Sequence, residues 1–138
     1  MNAEDKDLLL KDLCGRLPYN CMISIAEGGF DGIQWADVTL NSYLLHQIME
    51  EDAWEYVKPY LRPLSSMTEE QCNDMYNQLY LSQKEFYANC SNTDYIGKYI
   101  RLIANDTVND WLNKNMFDYR GLIKKGLALE APEGMYNS

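Results

Sequence analysis

The spacing of apolar residues predicts an amphipathic helix near the start of the chain. Four leucines recur at intervals of three and four, which places them on one helix face: Leu9, Leu10, Leu13 and Leu17. Acidic residues precede this pattern and Arg16 lies in its last turn, as the helix dipole favours. The pattern therefore predicts a helix over residues 4–17 that ends near Pro18.

A pattern typical of strands follows the first helix. Residues 21–27 and 33–40 are rich in β-forming side chains, and the glycines within 28–32 tolerate the positive φ angles of a tight connection. These segments predict a β-hairpin. Residues 43–55 fit either a third strand or a short helix, and we favour the strand. Val57–Leu64 contains two prolines, which predicts an edge strand or an extended connector and excludes a central strand.

The C-terminal half has a helical pattern. Ser66–Glu69 has the form of a capping box, and the residues after it keep the rhythm of an amphipathic helix: Cys72, Met75, Tyr76, Leu79, Tyr80, Gln83, Phe86 and Tyr87. Asn92 is suited to cap a second helix, and Asp106 or Thr107 a shorter third one. Glycines and prolines after residue 116 predict an irregular tail.

These elements predict a single α+β domain of 138 residues. We expect a small antiparallel sheet, made of the hairpin and one or two further strands, packed against about four helices. The boundaries are a helix over 4–17, a β-rich part over 20–64, a helical part over 66–115 and a tail over 116–138.

The charge of the chain narrows the choice of partners. The formal net charge of −9 opposes binding to nucleic acid, whose phosphates are neutralised by Lys and Arg. Between Cys21 and Val57 there is no Lys or Arg, whereas seven acids occur there: Glu27, Asp31, Asp37, Glu50, Glu51, Asp52 and Glu55. The acidic start of the chain lacks the pattern of a secretory signal, and no apolar run has membrane-spanning length. We therefore expect a cytoplasmic protein with no membrane partner.

Most candidate chemical sites have a simpler structural interpretation. The 4 cysteines lack the close spacing of zinc or redox motifs, so we expect free thiols. His46 is the only base for a Cys–His pair, and no motif selects a nucleophile. Glu50, Glu51 and Asp52 suit solvated charge better than a metal site, because adjacent acids point in different directions. The sequence thus predicts no catalytic residues, no cofactor and no metal.

Two groups of aromatic residues offer binding surfaces. Tyr76, Tyr80 and Tyr87, with Tyr95 and Tyr99, resemble a stacking platform, but their helical spacing favours a core position. Trp54 lies among acids, as at the centre of a protein interface, although inward packing explains it equally well. The predicted protein-binding residues are therefore Glu50, Glu51, Asp52, Trp54, Glu55 and Trp35.

Three segments of the chain have distinctive amino-acid sequences. They are Leu8–Tyr19 (LLLKDLCGRLPY), Lys58–Glu70 (KPYLRPLSSMTEE) and the motifs DWLN, FDYRGLI and GLA within 110–128. Together they resemble a family of short uncharacterised proteins from gut Bacteroides genomes and their phages or other mobile elements. The resemblance implies a mobile-element setting, in which small acidic proteins often bind host or phage machinery. Asn20–Tyr56 departs most from the family pattern, which suits a variable recognition surface or a tolerant hairpin.

The sequence therefore favours a non-enzymatic interaction or regulatory module that binds a host or phage protein through an acidic surface. A small hydrolase with carboxylates from different elements is the first alternative. A nucleic-acid-binding protein is the second, and it requires six basic residues to share one face: Lys98, Arg101, Lys114, Arg120, Lys124 and Lys125. The sequence leaves open whether the protein forms a homo-oligomer.

Overall fold

The computed structural model describes residues 1–29, 32–89 and 96–136, without the side chains of 27–29, 32–33, 86–89 and 96–103. This part of the chain forms an α+β fold with a mixed sheet of five strands and four α-helices, which confirms the predicted class. The elements are α1 (Ala3–Arg16), β1 (Met22–Gly29), β2 (Gly32–Thr39), α2 (Ser42–Glu51), β3 (Val57–Pro63), α3 (Glu69–Asn89), α4 (Ile96–Lys114), β4 (Phe117–Asp118) and β5 (Leu129–Glu130). None of the helices in the described ranges is long and apolar enough to cross a bilayer.

Helix α1 follows the sequence pattern closely. The Asn2 side chain caps its first turn by accepting a hydrogen bond from the Asp5 amide at 2.7 Å. The helix ends at Arg16, and a short 3-10 turn containing Pro18 continues to Tyr19. Leu9 and Leu13 are fully buried, so the predicted apolar face packs on the core.

The sheet has the order β2-β1-β3-β4, with β5 also paired to β3. The hairpin β1–β2 and the pair β1–β3 are antiparallel, whereas β4 and β5 run parallel to β3. The prediction of an edge position for β3 is therefore wrong. Its prolines are tolerated because Pro59 is the last residue that pairs with β1 and Pro63 ends the strand. The two-residue strands β4 and β5 lie in the predicted irregular tail, where they are too short to produce an alternating pattern.

Residues 42–51 form a helix, so the strand that we favoured for this segment is wrong. Asn41 caps α2 by accepting a hydrogen bond from the Leu44 amide at 2.8 Å. Asp52 ends the helix in the left-handed region, and its N–H bonds to the carbonyls of Ile48 and Met49. Leu45 and Ile48 are buried, because three-residue spacing places both on the side that faces the core.

Helices α3 and α4 pack against each other in the C-terminal half. The capping box of α3 lies two residues after the predicted one, because Thr68 and Gln71 exchange backbone-to-side-chain hydrogen bonds at 2.9 and 3.1 Å. Helix α4 continues through Asp106 and Thr107, so the separate third helix is wrong. Asn92, the predicted cap of the preceding segment, lies outside the described residues.

The tyrosines of α3 correct a second expectation. Tyr76 and Tyr80 are 61% and 64% exposed, although we expected them in the core. Cys72, Met75 and Leu79 are half-buried and form the inner stripe of the helix. The two tyrosines lie one position beyond that stripe and point to solvent. The side chains of Tyr87, Tyr95 and Tyr99 lie outside the described residues.

A buried charge cluster joins α1 to the tail. Asp12 and Arg16 are fully buried, and Asp12 accepts hydrogen bonds from Arg16 Nε at 3.0 Å and Arg120 Nη1 at 2.9 Å. Arg16 also donates to the carbonyl of Phe117 at 2.7 Å and of Leu112 at 3.3 Å. The cluster therefore ties the first helix to the end of α4 and to β4.

A tyrosine near the end of the described chain bridges two strands. The Tyr136 hydroxyl accepts a hydrogen bond from the Met22 amide at 2.9 Å and donates to the Tyr60 carbonyl at 2.8 Å. Arg62 holds the same residue, because its Nη2 donates to the Tyr136 carbonyl at 2.6 Å. The tail is thus fixed to the centre of the sheet by directional bonds.

Candidate functional site

The structure separates the two tryptophans of the predicted binding surface. Trp54 is 6% exposed and belongs to the main core, which also contains Ile48 and Val57. The inward-packing interpretation therefore describes Trp54, and its ring is not available to a partner. Trp35 is 49% exposed on β2.

Trp35 and the acids of α2 lie on different sides of the sheet. Trp35 pairs with Ala26 across the hairpin, and the next residue, Ala36, pairs with Ile25. Ile25 packs against the core on which α2 also packs. Because side chains alternate along a strand, Trp35 projects from the opposite face. The structure therefore does not bring Trp35 together with Glu50, Glu51, Asp52 and Glu55.

Two of the predicted acids already bind ammonium groups, one on α1 and one on the residue before its cap. Lys6 Nζ lies 2.9 Å from Asp52 Oδ2 and 3.2 Å from Oδ1. The N-terminal ammonium of Met1 lies 2.9 Å from Glu55 Oε1, and this hydrogen bond is the main reason why the pKa of Glu55 is lowered. The negative charge of the segment without Lys or Arg is thus partly neutralised by Met1 and Lys6. The sequence pattern did not predict that the start of the chain lies beside this segment.

The other two acids lie on the exposed side of α2. Glu50 Oε1 lies 3.1 Å from His46 Nε2 one turn earlier, with both side chains 68% exposed. Glu51 is exposed and has no ion-pair partner among the side chains that the structure describes. Of the four acids, Glu51 is therefore the one whose negative charge is least neutralised by neighbouring groups.

A recess next to Glu51 combines apolar and acidic groups. It encloses about 420 Å³, within the size range of ligand pockets, between α2, β1 and the start of β3. Its apolar part is formed by Ile25, Ile48, Ala53 and Val57, and its rim by Gln47, Glu51, Asp52 and Tyr56. Tyr56 is 45% exposed. We call this site, defined by these residues and Ala26, the acidic recess.

The exposed aromatic residue of the acidic recess is Tyr56, whereas we expected Trp54 in this role. Sequence reasoning missed Tyr56, because the 3-10 turn Trp54–Tyr56 turns the tryptophan inward and the tyrosine two residues later outward. The sequence did contain one indication of this arrangement, which is the close spacing of Trp54 and Tyr56. Two aromatic residues two positions apart in a tight turn point in different directions, so only one of them can enter the core. A carboxylate rim around an apolar surface suits a Lys or Arg side chain, whose stem packs on carbon while its head meets the charge.

A larger cleft lies between α3 and α4. It encloses about 740 Å³ and is lined by Thr68, Glu69, Glu70, Gln71, Asn73, Asp74, Asn77, Trp111 and Asn115. The Trp111 indole N–H donates to Asp74 Oδ2 at 2.9 Å, so one of its three carboxylates is already bound. A neighbouring cleft of about 330 Å³ shares Asp74, Trp111 and Asn115 and adds Asp106, Asp110 and Lys114. The lining is suited to hydrogen bonds with a polar ligand.

The described side chains offer little support for the other candidate sites. Cys14, Cys21 and Cys72 are free thiols, as expected, and His46 bonds to Glu50. Within the described side chains, no group of three or more His, Cys, Asp or Glu residues is placed to hold a metal ion. Of the basic residues required for nucleic-acid binding, Arg120 is bound to Asp12, and the side chains of Lys98 and Arg101 lie outside the described residues.

The acidic recess has a rigid floor and an exposed rim. Its apolar floor is continuous with the core, since Ile48 and Val57 are 3% and 1% exposed and cannot move independently of it. Glu51, Asp52 and Tyr56 at its rim are all exposed. No protein-family model, curated protein or solved structure matches this chain.

Proposed function

We propose that the protein is a non-enzymatic interaction module that binds a basic segment of a partner protein at the acidic recess. The proposal is supported chiefly by the position of Glu51, an exposed carboxylate at the edge of an apolar floor. A partner lysine or arginine placed there packs its stem on the half-buried Ile25 and Ala53 and its charge against Glu51. Tyr56 adds a rigid aromatic wall of the kind that dominates binding energy in protein interfaces.

The surroundings of the recess support a cationic ligand. The ammonium groups of Lys6 and Met1 already bind to Asp52 and Glu55 at 2.9 Å each. These acids therefore hold cations in this fold, and Glu51 extends the same negative surface with no ion-pair partner among the described side chains. Of the six predicted residues, Glu51 and Asp52 line the recess. The proposal therefore gives no direct contact to the other four, which are Glu50, Trp54, Glu55 and Trp35.

The resemblance to the Bacteroides mobile-element family gives the setting of the proposal. In that setting the partner is a host or phage protein with an exposed basic surface, and the module acts by occupying it. Attraction between a basic surface and acids at an exposed rim is screened by salt, so we expect capture of the partner to weaken as ionic strength rises.

The test is capture of partners from the native host with tagged wild-type and variant proteins, followed by mass spectrometry. Glu51→Lys reverses the charge at the recess, and Glu133→Lys makes the same change at an exposed residue of the tail. Proteins lost with Glu51→Lys and kept with Glu133→Lys are recess-dependent partners. Tyr56→Ala, which keeps the charge, is expected to lose the same proteins. If Glu51→Lys captures the same set as the wild type, the recess is not the binding site.

A further inference from the structure

Strand β2 leaves one side of the sheet open. It lies at the end of the strand order and, within the part of the chain that the structure describes, pairs with β1 alone. Natural edge strands are usually protected by lysine, proline or a bulge. Gly32–Thr39 contains neither Lys nor Pro, and Asp37 is its single charged residue. This edge is therefore equipped to pair with another strand.

The backbone groups at this edge can be assigned from the hairpin ladder. The Leu40 amide donates to the Cys21 carbonyl at 2.8 Å, so Leu40 directs its hydrogen-bonding groups towards β1. Directions alternate along an antiparallel strand. The N–H and C=O groups of Trp35, Asp37 and Thr39 therefore point away from β1, and all three residues are exposed.

The end of the hairpin also extends beyond the rest of the sheet. β1 pairs with β2 from Met22 to Gly29, but with β3 over Ile23–Ile25 alone. Trp35 and Ala36 project from opposite faces and both are exposed. A two-stranded ribbon is only marginally stable by itself, so a further strand paired along β2 would stabilise this end of the hairpin.

We propose that β2 pairs with β2 of a second copy of this chain, antiparallel and with Ala36 opposite Ala36. In this register every outward-facing residue of β2 has a backbone partner, and Trp35 lies opposite Asp37. The smallest side chain occupies the central pair, which is a non-hydrogen-bonded pair and brings the two strands closest together. A register centred on Asp37 opposes two carboxylates, and one centred on Trp35 places Thr39 beyond the end of the facing β2 strand.

The second copy is favoured over an unrelated strand because a twofold axis makes one open edge complementary to itself. The pairing also predicts its own salt dependence. Each copy has a net charge of −9, so the two repel each other and added salt strengthens the dimer. This is opposite in sign to binding at the acidic recess, so the failure of either proposal leaves the other testable.

Two lysine substitutions on the same face of β2 test the register. Ala36→Lys places two lysines opposite each other at the twofold axis, whereas Gln34→Lys adds the same charge to the same face without facing its copy. Ala36 and Gln34 are both exposed, so neither change disturbs the monomer core. Analytical ultracentrifugation up to millimolar concentration is expected to show a wild-type dimer that strengthens with salt. We expect Ala36→Lys to weaken it by roughly tenfold or more and Gln34→Lys to leave it intact.

A cysteine variant gives a positive signal that does not depend on loss of binding. Ala36→Cys brings two thiols together at the axis, in the close pair whose Cα separation suits a disulfide. Under mild oxidation we expect rapid formation of a linked dimer with Ala36→Cys and background linkage with Gln34→Cys and the wild type. A wild-type chain that stays monomeric at high salt and millimolar concentration overturns the proposal. Equal behaviour of the two lysine variants or of the two cysteine variants also overturns it.

Discussion

Replacing Asp12 by asparagine tests whether the buried charge cluster holds the fold together. The substitution preserves the size of the side chain and removes its charge, so that the fully buried Arg16 keeps neutral partners such as the carbonyls of Leu112 and Phe117 but loses its carboxylate. Breaking a buried ion pair in this way costs about 3–5 kcal/mol, because the remaining charge is uncompensated. For a chain of 138 residues this corresponds to a fall in Tm of about 10–20 °C.

The assay is urea denaturation followed by far-UV circular dichroism, from which the free energy of unfolding and its denaturant slope are obtained. Asp7→Asn is the matched control, since Asp7 lies on the same helix and pairs with Lys11 at 3.1 Å with both side chains more than 60% exposed. That pair contributes at most about 0.5 kcal/mol. If Asp12→Asn and Asp7→Asn have the same free energy of unfolding within error, burial of the Asp12–Arg16 pair is not what stabilises this junction.

Two further predictions concern packing and pH. Gly15→Ala is expected to destabilise the fold by about 1 kcal/mol despite the better helix propensity of alanine, because the added Cβ would lie 3.0 Å from Asn113 Nδ2, on a side chain held by the Tyr119 hydroxyl. The loss should shrink when Gly15→Ala is made in an Asn113→Ala background, and stabilisation by Gly15→Ala alone would contradict this account. Burial raises the pKa of the Cys21 thiol from 9.0 to about 11, so its contribution to stability is complete below pH 9 and is lost as the pH rises through 11. Over that interval the stability of the wild type relative to Cys21→Ala should fall by about 2–3 kcal/mol, and a constant difference would show that the thiol is not buried as described.

The sequence predicted those elements whose own pattern determines them. Helix α1 and the inner stripe of α3 follow from apolar spacing, and the hairpin follows from β-forming residues around glycines. The sequence analysis favoured a strand in place of α2 because the apolar residues of this segment fit both the helical and the strand period. The decisive feature is Asn41, because its side chain caps the helix.

The candidate site depended on information that local patterns lack. The acids within residues 50–55 are local in sequence, but Lys6 and the N-terminal ammonium reach Asp52 and Glu55 across 46 and 54 residues. Trp54 and Tyr56 are chemically similar neighbours, and only the packing of the 3-10 turn decides which one is buried. Similarly, nothing in the spacing of Asp12 and Arg16 shows that both are inside, because their neutralising partner Arg120 lies 108 residues away from Asp12.

The bridge made by Tyr136 has a consequence for how local fluctuations of the fold can be observed. Its hydroxyl bonds to Met22 and Tyr60, which precede it by 114 and 76 residues. When Tyr136 undocks, the Met22 amide loses the hydroxyl that accepts its hydrogen bond and becomes open to exchange with solvent. We therefore expect the hydrogen-exchange rate of this one amide to report how often the segment around residue 136 opens, even when the rest of the sheet stays closed.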